Sequence, residues 1–241
     1  MPETLSALRW DKDDERFYET GVDRVALYVM SSGTYGNGVA WSGVSGITET
    51  PGGAESNKIY ADNIEYLNLQ SAETLDGTIT AYDSPKEFNA CDGTATPVAG
   101  VNFGQQERKS FGLAFRTKVG SNQEGDSYGY KIHLWYNCKA APSEKSYSTV
   151  NESPEAVEKS WSISMTKTVL NAINDVTYKP LASITIDSRD FKTDQQKAAL
   201  KLFEEKLWGR DSDSTASPAI EALTPTLPSP AEVVSQLTIA G

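Results

Sequence analysis

The stretch from Gly129 to Thr166 reads GYKIHLWYNCKAAPSEKSYSTVNESPEAVEKSWSISMT and begins with a run of alternating apolar and polar residues. A period of two is typical of a strand that buries one face. We therefore predict a strand with one face toward the core. The core face carries Tyr130, Ile132, Leu134, Tyr136 and Cys138, and the opposite face carries Lys131, His133, Trp135 and Asn137.

A second strand is predicted at the end of the same stretch, after the polar connection from Lys139 to Pro154. Its two faces are Val157, Trp161, Ile163 and Met165 toward the core, and Glu158, Ser160, Ser162, Ser164 and Thr166 on the polar side. Two long strands flanking a polar loop, without a group of reactive side chains, favour a building block over a catalyst.

Working outward, the same alternation and Gly-rich or Pro-rich turns predict several more strands. One of them, Glu73–Tyr82, sets Leu75, Ile79 and Ala81 against a polar side that includes Thr74, Asp76, Thr78 and Thr80. The others are Arg24–Met30, one or two short strands within Gly38–Thr50, Ser56–Ala61, Asn63–Gln70, Val98–Phe103, Lys109–Lys118 and Leu181–Asp187.

Two helices are predicted from capping signals. Thr193 and Gln196 form a capping box, and apolar residues then recur at helical spacing up to Gly209; they are Ala199, Leu202, Phe203 and Leu207. Ser84-Pro85-Lys86-Glu87 predicts a second, short helix that ends near Gly93. The fold class is therefore mainly β, a β-sandwich or β-barrel with one flanking C-terminal α-helix and a short second helix.

Composition divides the chain into three parts. Residues 1–22 are polar and include Asp11, Asp13, Asp14 and Glu15, which predicts a solvated arm. Residues 23–209 form the β domain. Residues 210–241 are rich in Ser, Asp, Ala, Thr and Pro, which is typical of a linker. A small apolar cluster near the end of this segment is suited to docking on the β domain: Val233, Val234, Leu237 and Ile239.

The charge weighs strongly against tight binding of nucleic acid. Lys and Arg number 22 against 33 Asp and Glu, so the formal net charge is −11. Such a chain repels phosphates and is unsuited to gripping nucleic acid, but it is compatible with DNA passing close by. The sequence starts without a signal-peptide pattern and has no apolar run of membrane-span length, so we expect a cytoplasmic product.

Little in the sequence points to catalysis. His133 is the single histidine, and no nucleophile motif, dinucleotide fingerprint or metal spacing occurs. We therefore predict no enzyme activity, no cofactor and no metal. Two alternatives stay open: a hydrolase with a spatially paired set of carboxylates, and a carbohydrate-binding β-sandwich of a virion, a receptor-binding or decoration module, in which Trp41 or Trp135 stacks on a sugar.

Four segments resemble the major tail protein, or tail tube protein, of long non-contractile-tailed (siphovirus-type) bacteriophages of Gram-positive hosts. They are Arg9–Val29, Tyr60–Tyr82, Gly104–Thr117 and Tyr128–Trp161, which read RWDKDDERFYETGVDRVALYV, YADNIEYLNLQSAETLDGTITAY, GQQERKSFGLAFRT and YGYKIHLWYNCKAAPSEKSYSTVNESPEAVEKSW. The similarity extends from Arg9 to about Trp208, so residues 210–241 lie outside it.

The resemblance implies a virion protein of the phage tail that is assembled in the cytoplasm of the host bacterium. It implies hexameric rings that stack into a tube around a continuous inner β-barrel. It also implies four partners besides other copies of the chain: the tape measure protein, tail assembly chaperones, a tail terminator, and double-stranded DNA that passes through the lumen without specific binding.

Within that frame, two polar strand sides are candidates to face the lumen: Thr74, Asp76, Thr78 and Thr80, and Glu158, Ser160, Ser162 and Ser164. Carboxylates and hydroxyls there would keep a polyanion mobile by repulsion. We also expect the arm and the loops Ser31–Gly38 and Lys139–Pro154 to be mobile in the free subunit and to order between rings. The candidate inter-ring residues are Tyr35, Asn37, Ser143, Glu144 and Lys145.

Overall fold

The computed structural model of the chain describes residues 16–123, 125–147, 149, 156–170, 176–216 and 220–238. The strands are β1 (Phe17–Ser31), β2 (Thr34–Tyr35), β3 (Val39–Ala40), β4 (Val44–Gly52), β5 (Ser56–Ala61), β6 (Ile64–Gln70), β7 (Thr74–Ala81), β8 (Ala95–Val98), β9 (Val101–Phe103), β10 (Phe111–Ser121), β11 (Gly125–Ala140), β12 (Lys159–Met165) and β13 (Ser183–Asp187). The helices are α1 (Asp194–Trp208) and α2 (Pro230–Leu237), with 3-10 helices at Lys86–Ala90 and Ser188–Asp190. The predicted mainly β class with a flanking C-terminal helix is confirmed.

The main sheet has the order β2-β1-β10-β11-β12-β7-β4, with β3 beside β1 and β13 beside β11. The sheet divides into two layers at strand β11, which pairs with a different strand in each half. Its residues 131–135 pair with β13, whereas residues 138–140 pair with β12. Between these halves the register against β10 slips by one residue, and Asn137 has a φ of +49°. A β-bulge at Asn137 therefore lets one strand serve two sheet layers.

One core lies between those two layers, where the β1-β10-β11 layer packs against the β12-β7-β4 layer. Trp161 is at its centre, with its ring 5.5 Å from the ring of Trp41 and 5.4 Å from that of Phe88, both edge-on. The 3-10 helix that carries Phe88 closes this side. A short helix was predicted here, but its N-cap is Pro85 and no side chain caps it, so the predicted capping box is wrong. The buried members include Leu27, Ile79, Phe111, Leu113, Phe115, Trp135, Cys138, Trp161 and Ile163.

A second core covers the opposite face of the β1-β10-β11 layer. Helix α1 begins at the predicted capping box of Thr193 and Gln196 and buries Leu200, Phe203 and Leu207. The predicted stripe is wrong at Leu202, which is 46% exposed, because Leu200 occupies the inward position. The chain is thus a three-layer arrangement of sheet, sheet and helices.

The described residues beyond 209, which are 210–216 and 220–238, do not form the linker that the composition predicts. Leu227 and Val233 are buried in the second core, and the Tyr136 hydroxyl donates to the carbonyl of Pro228 at 3.0 Å. Helix α2 starts at a second capping box, of Ser229 and Glu232, which we did not predict. The expected docking of the apolar cluster is confirmed for Val233 and Leu237, while Ile239 lies outside the described residues.

Four further predictions for the strands need correction. Trp135 is fully buried rather than on a solvated face, because β11 is covered on both sides. Cys138 lies in the first core and Tyr136 in the second, because the bulge at Asn137 reverses the alternation. Strand β1 begins at Phe17, within the predicted arm, and β12 begins at Lys159, which leaves Val157 43% exposed.

Candidate assembly surfaces

The two polar strand sides predicted for the lumen lie next to each other on one surface. Ser160, Ser162 and Ser164 pair in register with Thr80, Thr78 and Asp76, and residues paired in register share a face of a sheet. Strand β4 extends the surface, since Thr48 pairs with Thr78 and Thr50 with Asp76. We call this surface the hydroxyl face; its members are Thr48, Thr50, Asp76, Thr78, Thr80, Ser160, Ser162 and Ser164.

The alternation of β7 and β12 explains the hydroxyl face. Ile79 and Trp161 are register partners that point the other way, and both are buried in the first core. No strand or helix of the described residues covers the hydroxyl face, because α1 and α2 pack on the distant layer. Three strands therefore present one side to the core and one side to solvent, as an antiparallel sheet can.

The hydroxyl face carries less negative charge than its sequence suggested. Asp76 is its one carboxylate, and Lys139 of β11 pairs with Ser164 on the same side. Glu158 precedes β12 and accepts a hydrogen bond from the Ser45 hydroxyl. Thr74 pairs with Gly52 at the far end of the strands and is exposed. Hydroxyl groups rather than carboxylates dominate this surface.

Strands β4 and β13 each have one open edge among the described residues, and so do the two-residue strands β2 and β3, which pair with β1 alone. Strand β4 pairs with β7 alone, and β13 pairs with β11 alone. Each therefore presents unpaired backbone N–H and C=O groups along its outer side, which suits the addition of a strand from another chain. The hydroxyl face ends at the open edge of β4.

Strands β5 and β6 form a hairpin of their own, separate from the main sheet. Asp62 and Asn63 make its turn with positive φ values of +53° and +61°, as a type I′ turn requires. One side is held by polar pairs, among them Lys58 to Glu65 at 2.7 Å. The other side is apolar and exposed; we call it the hairpin apolar face, and its members are Ile59, Ile64, Leu67 and Leu69.

A second small hairpin exposes apolar residues as well. Strands β8 and β9 pair through Val98 and Val101, which are 60% and 44% exposed, and Phe103 is 54% exposed. The two strands of the β5-β6 hairpin were predicted, but the single strand predicted over Val98–Phe103 is wrong, because a turn at residues 99–100 divides that segment. The exposure of the apolar side chains was predicted at neither hairpin.

The candidate inter-ring residues lie in two loops. Tyr35 is in β2, and its hydroxyl accepts a hydrogen bond from the Asn137 backbone N–H at 2.9 Å, so it is anchored in the subunit rather than free to order later. Lys145 is within 2.6 Å of Asp92, and Ser143 is half-buried. Asn37 and Glu144 are exposed. Residues 148 and 150–155 of the second loop lie outside the described residues.

The residues considered for chemistry are structural. Trp41 and Trp135 are buried, with 3% and 0% exposure, so neither can stack on a sugar. Cys91 and Cys138 are free and buried, and burial raises the pKa of the Cys91 thiol to about 12. The described residues contain no group of three or more His, Cys, Asp or Glu that could hold a metal ion. None of the described helices is long and apolar enough to span a membrane.

His133 lies at the edge of the first core. Its ring stacks on Phe115 with the centroids 4.7 Å apart, and its Nε2 is 3.0 Å from the Thr117 hydroxyl and 3.6 Å from Glu19. Burial, which disfavours the charged form, lowers the pKa of His133 from its usual 6.5. A neutral imidazole therefore belongs to the folded state.

We expect His133 to make the stability of the subunit depend on pH. Because its folded pKa lies below 6.5, the unfolded chain takes up the proton first as the pH falls, and the free energy of unfolding decreases below about pH 6.5. In urea unfolding between about pH 7.5 and about pH 5.5, the wild type should lose more stability than His133→Gln. Equal losses in the two proteins would contradict this role.

An open-edged sheet, an uncovered hydroxyl face and an exposed apolar hairpin are features of a structural β subunit rather than of a catalytic domain. Residues 31–207, more than half of the chain, match the family model for phage tail tube proteins. The chain therefore belongs to the phage tail tube protein family and is a structural protein of the phage tail. No curated protein matches the chain.

Proposed function

We propose that this chain polymerises as stacked hexameric rings and forms the tube of a long non-contractile tail, through which double-stranded DNA passes during ejection. The hydroxyl face is the observation that carries the proposal. A subunit of the wall of a water-filled tube needs one sheet side packed on its own core and one side in water. Strands β4, β7 and β12 have these two sides.

The lateral contact within a ring uses open sheet edges. Strand β4 ends the hydroxyl face, so a strand added to its outer edge continues that face into the next subunit. Repeated around a closed ring, this pairing gives a continuous inner barrel without exposed edges. Each lateral contact should bury at least ~800 Å² per partner, the area of a standard stable interface.

The contact between rings uses the hairpin apolar face. A two-stranded hairpin is marginally stable by itself, and this one exposes Ile64 at 63% and Leu69 at 51%. Burial against a neighbouring subunit removes that apolar surface from water. Because such a contact joins two different surfaces head to tail, it propagates along the tube axis. The exposed loop residues Asn37, Glu144 and Lys145 are further candidates for this contact.

The lumen is lined by the hydroxyl face, which includes the candidates Asp76, Thr78, Thr80, Ser160, Ser162 and Ser164, with Thr74 and Glu158 at its borders. Neutral hydroxyls and few cations give passing DNA little to bind, since phosphate contacts rely on Lys and Arg. The family resemblance supplies the other proposed partners, which are the tape measure protein, tail assembly chaperones and a tail terminator. Assembly takes place in the cytoplasm of the host bacterium.

Electron microscopy of the purified chain tests the proposal. Negative staining of the protein alone, and of the protein mixed with the tape measure protein of the same phage, should reveal hollow tubes with sixfold rings in at least the mixture. A carbohydrate-binding module would stay a separate particle and retain a glycan. A chain that stays monomeric beside its tape measure protein would refute the proposed polymerisation.

A further inference from the structure

The β8-β9 hairpin presents its own apolar face to solvent, and among the described strands β8 and β9 pair only with each other. Val98 and Val101 are register partners, so their side chains share one side of the hairpin. The other side is polar, since the Thr96 hydroxyl donates to the side-chain oxygen of Asn102 at 2.7 Å. We call the first side the β8-β9 apolar face, and all its members are exposed: Ala95, Val98, Val101 and Phe103.

The β8-β9 hairpin is held firmly at its base. The backbone N–H of Gln106 donates to the carbonyl of Gly93 at 2.9 Å and closes the two stems. Lys145, one of the candidate inter-ring residues, lies 2.6 Å from Asp92 at the same base. A fixed base holds the β8-β9 apolar face in one place, so that little ordering is required when a partner binds.

The two apolar hairpins leave opposite ends of the layer that contains β7. The β5-β6 hairpin joins β7 at its first residue, Thr74. The stems of the β8-β9 hairpin come from the 3-10 helix of Phe88 and from Phe111 at the start of β10, whose rings are 5.5 Å apart. Phe88 also lies edge-on to Trp161, the register partner of Ile79 near the last residue of β7. The eight residues of β7 therefore set the bases of the two hairpins about 25 Å apart.

Charge and apolar content make the two hairpins compatible. Residues 93–106, which include the β8-β9 hairpin, contain no Asp, Glu, Lys, Arg or His, although the chain has a formal net charge of −11. Residues 55–73, which include the β5-β6 hairpin, contain four acidic residues and one lysine. An acidic surface repels this hairpin, whereas an uncharged surface does not. Contact between the two apolar faces removes both from water.

Another exposed apolar region lies at the wrong end of the subunit. Tyr178 is 51% exposed and, with Leu181, lines a recess beside α2. Leu181 also borders Gly53 and Thr74, between which the β5-β6 hairpin extends. Surfaces at the same end of a subunit point in the same direction, so they do not meet when identical subunits stack head to tail. The β8-β9 apolar face is at the end that the next subunit meets.

We infer that the hairpin apolar face of one subunit binds the β8-β9 apolar face of a second copy of the chain in the next ring. The inference rests on the proposed stacking of rings, and it names the surface that receives the β5-β6 hairpin. A face of four apolar side chains buries less than the ~800 Å² per partner of a standard interface, so one contact by itself is weak. Six such contacts between two rings act together and hold the rings firmly.

A disulfide between copies tests the contact. Cys91 and Cys138 are buried, so they provide a silent background for the variant Leu67→Cys/Val101→Cys. The two new cysteines of one subunit are too far apart to bridge, so every disulfide between them joins two chains. When tubes of this variant are oxidised, linked chains should appear about tenfold faster than in the control Leu67→Cys/Thr96→Cys, because groups held in contact react at a high effective concentration. Thr96 lies on the polar side of the same hairpin.

A charge substitution tests the same face without cysteines. Val98→Lys/Val101→Lys should lower the amount of sedimented tube about tenfold or more, because two charges would enter an apolar contact without partners. The matched control is Thr96→Lys/Asn102→Lys, which makes the same charge change on the polar side and should assemble like the wild type. Circular dichroism verifies that both variants are folded.

The outcomes separate this contact from the proposed function. Wild-type protein that forms no tubes beside its tape measure protein would refute the stacking of rings, and the contact with it. Wild-type tubes together with equal disulfide rates in the two cysteine variants would overturn the contact alone. Normal tubes from Val98→Lys/Val101→Lys would overturn it in the same way.

Discussion

We expect the replacement of Ile59 and Leu67 with lysine to abolish tube formation and to leave the subunit folded. The two side chains are register partners at the centre of the hairpin apolar face, 39% and 46% exposed in the subunit. Two charges would then have to be buried without partners wherever this face meets a neighbour, which costs several kcal/mol. The measurement is sedimentation of assembled material combined with negative-stain microscopy, with circular dichroism to verify folding.

The matched control changes the other side of the same hairpin. Lys58→Glu/Glu65→Lys exchanges the two members of an exposed ion pair and keeps the hairpin apolar face intact. We expect this variant to assemble like the wild type, since exposed pairs contribute little. Tubes of normal length from Ile59→Lys/Leu67→Lys would show that the hairpin apolar face does not lie at an interface.

Replacing Trp135 with alanine costs about 3–5 kcal/mol of unfolding free energy, the range for a large buried side chain. Trp135 is fully buried, its ring lies edge-on to Phe115 at 5.4 Å, and its Nε1 donates to Glu49 at 2.7 Å. Gly77 of β7 leaves the space that the ring occupies, because a Cβ there would lie 2.6 Å from it. Denaturant unfolding measures the loss.

The control for this substitution is Ser162→Ala on β12. Ser162 is exposed on the hydroxyl face, so its removal should change the unfolding free energy by less than about 0.5 kcal/mol. If Trp135→Ala lost no more than Ser162→Ala, the two sheet layers would not be joined through Trp135.

The elements that sequence reasoning predicted best are those whose pattern is local. Strands β7 and β12 each alternate strictly, with Ile79 and Trp161 buried and their neighbours polar, so period alone identified their faces. Helix α1 carries its own start signal at Thr193 and Gln196. Family resemblance, carried by four segments, then indicated the tail tube assignment that the family match confirms.

The burial of Trp135 could not be predicted in this way, because it depends on residues far along the chain. Its place exists because β11 is covered on both sides and because Gly77 leaves room for the ring. The position of Cys138 likewise depends on Asn137, whose conformation shifts the residues that follow it to the other side of the strand. Neither Gly77 nor Asn137 is unusual in its own segment. A bulge changes the alternation without changing the composition.

The prediction that the extension beyond Arg210 is a linker was wrong for a different reason. Its Ser, Asp, Thr and Pro content is typical of a solvated linker, yet a few apolar side chains suffice to anchor it when the sheet offers a matching recess. Gly112 provides that recess, since a Cβ there would lie 2.2 Å from Leu227. Composition averages over a segment, whereas docking depends on single positions such as Leu227 and Val233.

The candidate surfaces were predicted in part. The polar rows of β7 and β12 were identified one by one, but their adjacency follows from the register of Ser162 with Thr78, which no local pattern reveals. Exposure of the hairpin apolar face was missed, because an alternating apolar strand predicts a buried side and gives no indication that the covering partner is a different molecule.

The docking of Leu227 and Val233 determines how late in synthesis the subunit can complete its second core. Translation delivers β1 first, and its Tyr28 and Ala26 face a layer that is completed only by residues made some two hundred positions later. Until those residues leave the ribosome, one side of the nascent sheet is uncovered and prone to stick to other chains, as partly folded intermediates are. A truncation before Leu227 would keep the protein in that vulnerable condition permanently.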